Sequence, residues 1–142
     1  MTELPASLWN RAQEALRAAT PVLPVSADAA ASRAYYAAFY AVSAHFALEG
    51  KKFTKHGAVV AAVHRDLVRT GLWPVDLGQL FSDLAVARKA GDYGEDTHVS
   101  NEEAQRCIRS AKEILRAVAK LRPQEFTGLD NPLTGGVTDA LP

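Results

Sequence analysis

Two short segments put arginine beside tyrosine: Ser32-Arg33-Ala34-Tyr35-Tyr36-Ala37-Ala38-Phe39-Tyr40 and Arg88-Lys89-Ala90-Gly91-Asp92-Tyr93. Arg33 precedes Tyr36 by three residues and Tyr40 by seven, so the three share one face of a helix. A guanidinium next to phenol rings can hold a phosphate oxygen and stack a base. Arg88 continues an apolar stripe through Leu77, Phe81 and Leu84, so it is aimed at the interior or at a covered surface. A guanidinium there needs a partner such as a carboxylate, a phosphate or a subunit interface. Lys55-His56 opens a third helical segment, where free backbone N–H groups welcome an anion.

Each of these residues also has a plainer reading. Arg88 can run its stem out along the edge of the core and pair with Asp92, one helical turn on. Tyr36 and Tyr40 can pack against neighbouring helices and send only their hydroxyls to the surface. Lys55 and His56 can be two exposed side chains beside a loop.

Other chemistries find little support. The histidines are His45, His56, His64 and His98, and no pair has the i, i+4 spacing of a helix-borne zinc site. No metal and no cofactor is expected. Neither a glycine-rich phosphate loop nor a nucleophile elbow occurs, and Gly135-Gly136 lies in the C-terminal segment. The lone Cys107 rules out an internal disulfide and fits a reducing compartment. Thr2 to Asn10 lacks the basic start and apolar run of a signal peptide, and no stretch is apolar enough to span a bilayer. A cytoplasmic protein without membrane association is expected.

The elements that must hold these residues read as helices throughout. The 142 residues, 48% hydrophobic and 23% charged with zero net charge, suit one globular domain rather than a broad electrostatic grip on nucleic acid. The first helix is predicted over roughly Ala6 to Ala19, with Leu8, Ala12, Ala15, Leu16 and Ala19 on one face, ended by Pro21 and Pro24. The second starts at the cap Ser26, buries Tyr35, Phe39, Val42 and Phe46, and stops near Glu49 before Gly50. The third is predicted over Lys55 to Arg69, capped by Thr54, with Val60, Val63 and Leu67 inward and Gly71 at its end. The fourth follows Pro74, with Asp76 as cap, Gln79 as capping-box partner, a Leu77, Leu80, Phe81 and Leu84 stripe, and breaks at Gly91 and Gly94. The fifth opens with the capping box Ser100-Asn101-Glu102-Glu103, with Val99 as a staple, and runs through Cys107, Ile108, Ala111, Leu115 and Val118 to about Leu121. One core should gather Tyr35, Phe39, Val42, Phe46, Val63, Phe81, Leu84, Ile108 and Leu115. The expected fold is all-α: an antiparallel up-and-down bundle of about five helices over residues 1–122, followed by a flexible tail over 123–142 rich in Gly, Pro, Thr and Asp.

The two segments, in this order and spacing, resemble the HEPN superfamily of small helical bundles. The match is to the small-protein branch with an S-R-A-Y-Y-A-x-F run and a later R-x-x-x-D-Y, here Ser32 to Phe39 and Arg88 to Tyr93, with Lys55-His56 after Gly50 also fitting. It covers the second to fifth helices. Many HEPN proteins are metal-independent endoribonucleases, and many are toxins encoded beside a nucleotidyltransferase antitoxin. Their signature is an arginine and, after four to six residues, a histidine, and two such motifs meet across a homodimer. The resemblance makes Arg88 the phosphate-supporting arginine, but Tyr93, Gly94 and Glu95 stand where the histidine belongs, and His98 comes later.

Three functions follow as expectations. The first is an RNA- or nucleotide-phosphate-binding or accessory component of a toxin–antitoxin-like system. Arg33, Tyr36, Tyr40, Lys55 and Asp92 then contact the ligand beside Arg88, His56 and Tyr93. The second is an endoribonuclease with a non-standard site, in which Arg88 steadies the phosphate and His56 or Tyr93 handles the proton. The third is a homodimeric protein-interaction module without chemistry. The resemblance implies a homodimer, a nucleotidyltransferase partner with Tyr93 as the tyrosine it would modify, and RNA as the ligand.

Overall fold

The computed structural model describes residues 3–93 and 97–129; residues 1–2, the side chain of Tyr93, residues 94–96 and residues 130–142 lie outside this set. The elements are α1 (Glu3–Val22), α2 (Ala27–Leu48), α3 (His56–Ala62), which runs on into a π-helical turn (Val63–Val68), α4 (Val75–Tyr93) and α5 (Asn101–Leu121). No strand occurs among the described residues, so the chain is the all-α bundle its periodicity predicts.

Helix α2 is the centre. It packs against α1, α4 and α5. Ala30, Ala31, Ala34, Ala37, Ala38, Ala41 and Ala44 are buried along it, so small side chains let three neighbours approach one helix closely. Its start is capped as predicted: the backbone N–H of Ala29 donates to Ser26 Oγ at 3.0 Å. It ends at Gly50, whose φ of +76° is the left-handed conformation that favours glycine.

Most of the expected core is buried, but Phe39 is only half-buried and packs against the core from its edge. Other local expectations are corrected. Helix α1 starts earlier than predicted and carries Pro21 within its last turn, and it buries Trp9 while Leu8 and Leu16 are only partly covered. Lys55, not Thr54, occupies the N-cap of α3 and makes no side-chain capping bond. Asp76 lies inside the first turn of α4, and Gln79 donates to Asp83 Oδ1 at 2.9 Å instead of capping the helix. Helix α4 also passes through Gly91. A Cβ there would lie 3.2 Å from the carbonyl oxygen of Asp28, so this glycine lets α4 approach the start of α2.

Asp28 then ties the next connection to the same place. Its Oδ1 accepts from the Val99 N–H at 2.7 Å, and its Oδ2 pairs with His98 Nδ1 at 2.8 Å. The Val99 N–H, with help from His98, holds the Asp28 carboxyl below its usual range despite some desolvation. The predicted capping box of α5 forms: Glu103 N–H donates to Ser100 Oγ at 3.1 Å, and Ser100 N–H to Glu103 Oε1 at 3.3 Å. Val99 is buried beside it.

The π-helical turn is set against α4. Arg69 N–H donates to His64 O at 2.9 Å, a five-residue step, and His64 Nε2 meets Ser82 Oγ at 2.8 Å. Gly78 is buried at this contact, and a Cβ on it would lie 2.7 Å from a Val68 methyl and 3.1 Å from His64 Cε1. Valine is stiff at this position in its side chain, so it cannot swing away freely. Gly78→Ala should therefore destabilise the fold by about 1–3 kcal/mol, read as a lower urea midpoint with an unchanged slope.

The packed chain does not stop at Arg122, where the tail was expected to begin. Phe126 is 2% exposed and stacks on Trp9 with ring centroids 4.9 Å apart. Trp9 Nε1–H and Gln13 Nε2–H both donate to Thr127 O, at 2.9 and 3.2 Å. The pull of an aromatic side chain into the gap beside α1 outweighs the Gly/Pro-rich composition around it. The remainder of the expected tail, residues 130–142, lies outside the described residues.

His45 is buried at the end of α2, and neither ring nitrogen makes a hydrogen bond among the described residues; Glu49 Oε1 is 3.8 Å from its Nε2. Desolvation lowers its pKa; Glu49 opposes this, and the charges of Arg122 and Lys51 add to it. His56, described below, is lowered as well. The unfolded chain takes up protons at these rings near 6.5, whereas the native chain resists until a lower pH. Their contribution to stability is thus complete above about pH 6.5 and is lost as pH falls through the folded values. The urea midpoint should fall between pH 7.5 and pH 5.5, and His45→Leu should reduce that fall.

Candidate phosphate-binding site

Tyr35 and Tyr36, in the middle of α2, present their rings to α4 and to the start of α3. Arg88 comes from α4 and is 5% exposed. Its guanidinium carbon lies 5.2 Å from the centre of the Tyr35 ring and 5.9 Å from that of Tyr36. Its Nη1 reaches Asp92 Oδ2 at 3.4 Å. Both sequence readings of Arg88 hold: it is aimed inward and it pairs with Asp92. The ring faces supply favourable contact for a cation taken out of water.

His56, the first residue of α3, closes the cluster. Its Nδ1 is 2.8 Å from the Tyr35 hydroxyl. Its ring centre lies 4.7 Å from that of Phe39, 5.6 Å from Tyr35 and 5.8 Å from Tyr36. Partial burial first, and the positive charge of Arg88 second, push the His56 pKa down, so the ring is neutral near pH 7. Burial pushes the Tyr35 phenol up to about 12; nearby Arg88 pulls the other way, and Tyr36 adds slightly to the rise. A protonated phenol, a neutral imidazole and a guanidinium therefore share one cluster.

The remaining sequence candidates divide. Arg33 is exposed and its guanidinium carbon is 5.6 Å from the Tyr36 ring centre, on the outer side of the cluster. Tyr36 is half-buried between Arg88 and Arg33. Lys55 is exposed and precedes His56 at the helix start. Tyr40 stands one step away: it touches Tyr36 and Phe39, and Arg11 of α1 lies over it at 5.8 Å. Asp92 is joined through Arg88. Tyr93 ends α4, and its side chain is outside the described residues, as are Gly94 and Glu95.

Tyr35, Phe39 and Arg11 were not among the candidates. Tyr35 was read as core, which it is, with no exposed surface. The one signal that pointed further was its hydroxyl, which a buried tyrosine must satisfy. The histidine nearest to this arginine in effect is His56 of α3, on whose imidazole the Arg88 charge acts. Among the described residues, no three His, Cys, Asp or Glu side chains gather as a metal site. No helix among them is long and apolar enough to cross a membrane.

A curated protein of Thermotoga maritima, named UPF0332 protein, is 41% identical over 92 residues, which span 65% of this chain and 70% of that protein. The model of the HEPN domain family matches residues 6–121, from early in α1 to the last residue of α5, including every residue of the Arg88–Tyr35–His56 cluster. By that match the chain belongs to the HEPN domain family.

Proposed function

We propose that the protein binds RNA or a nucleotide phosphate at the cluster of Arg88, Tyr35, Tyr36 and His56, as a binding or accessory component of a toxin–antitoxin-like system. The observation that carries this reading is the inward guanidinium of Arg88 against two tyrosine rings, with a neutral histidine hydrogen-bonded beside it. Exposed Arg33 and Lys55 add local positive charge around the cluster in a chain with zero net charge. Aromatic faces at Tyr36 and Tyr40 suit base stacking. Asp92, paired with Arg88, extends the proposed site along α4, and Tyr93 next to it in the chain belongs to the same proposal. A homodimer that brings two clusters together, a nucleotidyltransferase partner acting at Tyr93, and a cytoplasmic setting belong to the same proposal.

A second reading has its own support. Arg88 lies close enough to His56 for its charge to act on the imidazole, so an arginine–histidine pair exists although the family's usual spacing is absent. In that reading the chain is a metal-independent endoribonuclease, with Arg88 on the phosphate and His56 or Tyr93 on the proton. One experiment separates the two: anisotropy of a labelled single-stranded RNA with the full chain in EDTA, with the same RNA run on a gel afterwards. Binding without cleavage supports the first reading, and cleavage supports the second. A folded protein that neither binds nor cleaves leaves the protein-interaction module.

A further inference from the structure

Tyr35 is fully buried, and His56 Nδ1, at 2.8 Å, is the hydrogen-bond partner of its hydroxyl among the described residues. A phenol has one hydrogen to give, and a buried donor left without an acceptor loses its whole hydration energy. The unprotonated Nδ1 is the acceptor at hand, so the O–H points to it and the imidazole keeps its proton on Nε2. His56 Nε2 makes no hydrogen bond to a described residue and is not among the buried unpaired atoms. We infer that Tyr35 is a positioning residue which locks His56 as a neutral Nε2–H donor, so that the site takes an anionic phosphate oxygen at that nitrogen.

This inference rests on the phosphate-binding reading and narrows it. With Nδ1 engaged and Nε2 protonated, the ring has no lone pair free to accept a proton from a ribose 2′-hydroxyl. The partial burial and the Arg88 charge that depress its pKa also disfavour the imidazolium needed for proton donation to a leaving oxygen. The histidine therefore binds and orients the ligand and does not move its protons. The arrangement selects acceptors: a phosphate oxygen can take the Nε2–H, with exposed Arg33 and Lys55 adding positive charge around the cluster, whereas an amine or a metal ion finds no free lone pair on this ring.

The test is a long-range proton–nitrogen correlation spectrum of the full chain labelled with ¹⁵N-histidine, near pH 7.5, for wild type and Tyr35→Phe. The wild-type His56 ring should give the pattern of a single Nε2–H tautomer. In Tyr35→Phe, which keeps the ring packing, it should average between tautomers while the far-ultraviolet spectrum is unchanged. Adding a short single-stranded RNA should move the wild-type Nε2 signal, and Tyr35→Phe should bind that RNA roughly threefold to tenfold more weakly, the worth of one hydrogen bond. A wild-type ring protonated at Nδ1, or at both nitrogens, overturns the lock itself. A locked ring whose signals ignore RNA supports the lock and overturns the phosphate-binding reading on which the ligand assignment rests.

Discussion

Arg88→Met should weaken RNA binding at least tenfold while leaving the melting temperature unchanged or raised. The two effects separate because they have different causes. The native guanidinium is 5% exposed, lies against the Tyr35 and Tyr36 rings and pairs with Asp92, and burying a cation carries a desolvation cost that such contacts must offset. Methionine has a similar reach and no charge to desolvate, so it can fill the space against Tyr35 and Tyr36; replacing buried ions by apolar residues of like volume is often neutral or stabilising. Asp92 is left beside solvent, its side chain already 30% exposed, and does not become a buried lone charge. What the variant lacks is the positive charge at the base of the cluster. A charged hydrogen-bond or ion contact to phosphate is worth about 1.5–3 kcal/mol, which is roughly a tenfold to hundredfold change in affinity. Thermal melting and anisotropy on the same preparation read both effects. A variant that melts well below wild type would mean that Arg88 serves packing, and unchanged RNA binding would remove it from the site.

Phe126→Ala should destabilise the protein by about 3–5 kcal/mol, a large fraction of the 5–15 kcal/mol that a domain of this kind usually has. Phe126 is 2% exposed and stacked on Trp9, so truncation opens a cavity against a ring that cannot collapse into it. A chain ending at Arg122 should fare worse, because it also removes Thr127 O, the acceptor for the Trp9 indole N–H. Urea unfolding of Phe126→Ala and of the truncated chain measures both. If the truncated chain were as stable as the full one, the segment after α5 would be an appendage and the packing of Phe126 on α1 would contribute nothing.

Much of the fold was legible because helix formation is local. Ser26 and the Ser100–Glu103 box act within one turn, and Gly50 stops α2 by its own conformation. Where prediction slipped, a longer-range contact overrode the local signal. Thr54 and Asp76 look like caps, but Lys55 takes the N-cap of α3 and α4 already begins at Val75. Gly91 looks like a break, but it is the gap through which α4 packs on Asp28. Phe126 sits in a segment whose composition reads as tail, and only the shape of the space beside Trp9 reveals its use.

The candidate site divides along the same line. The residues themselves determined that an arginine of α4 faces inward, because the stripe Leu77, Phe81, Leu84 continues to Arg88 with the period of a helix, and that α2 carries tyrosines beside Arg33. The same residues carried the family resemblance, which the match over residues 6–121 bears out. Only the tertiary structure decided that His56, from the start of α3, stands beside Arg88, and that buried Tyr35 joins it through a 2.8 Å hydrogen bond. Periodicity orders side chains around one helix axis. It holds no information on the rotation and offset between separate helices, which the packing of α2 against its neighbours sets, and on those the meeting of Arg88, Tyr35 and His56 depends.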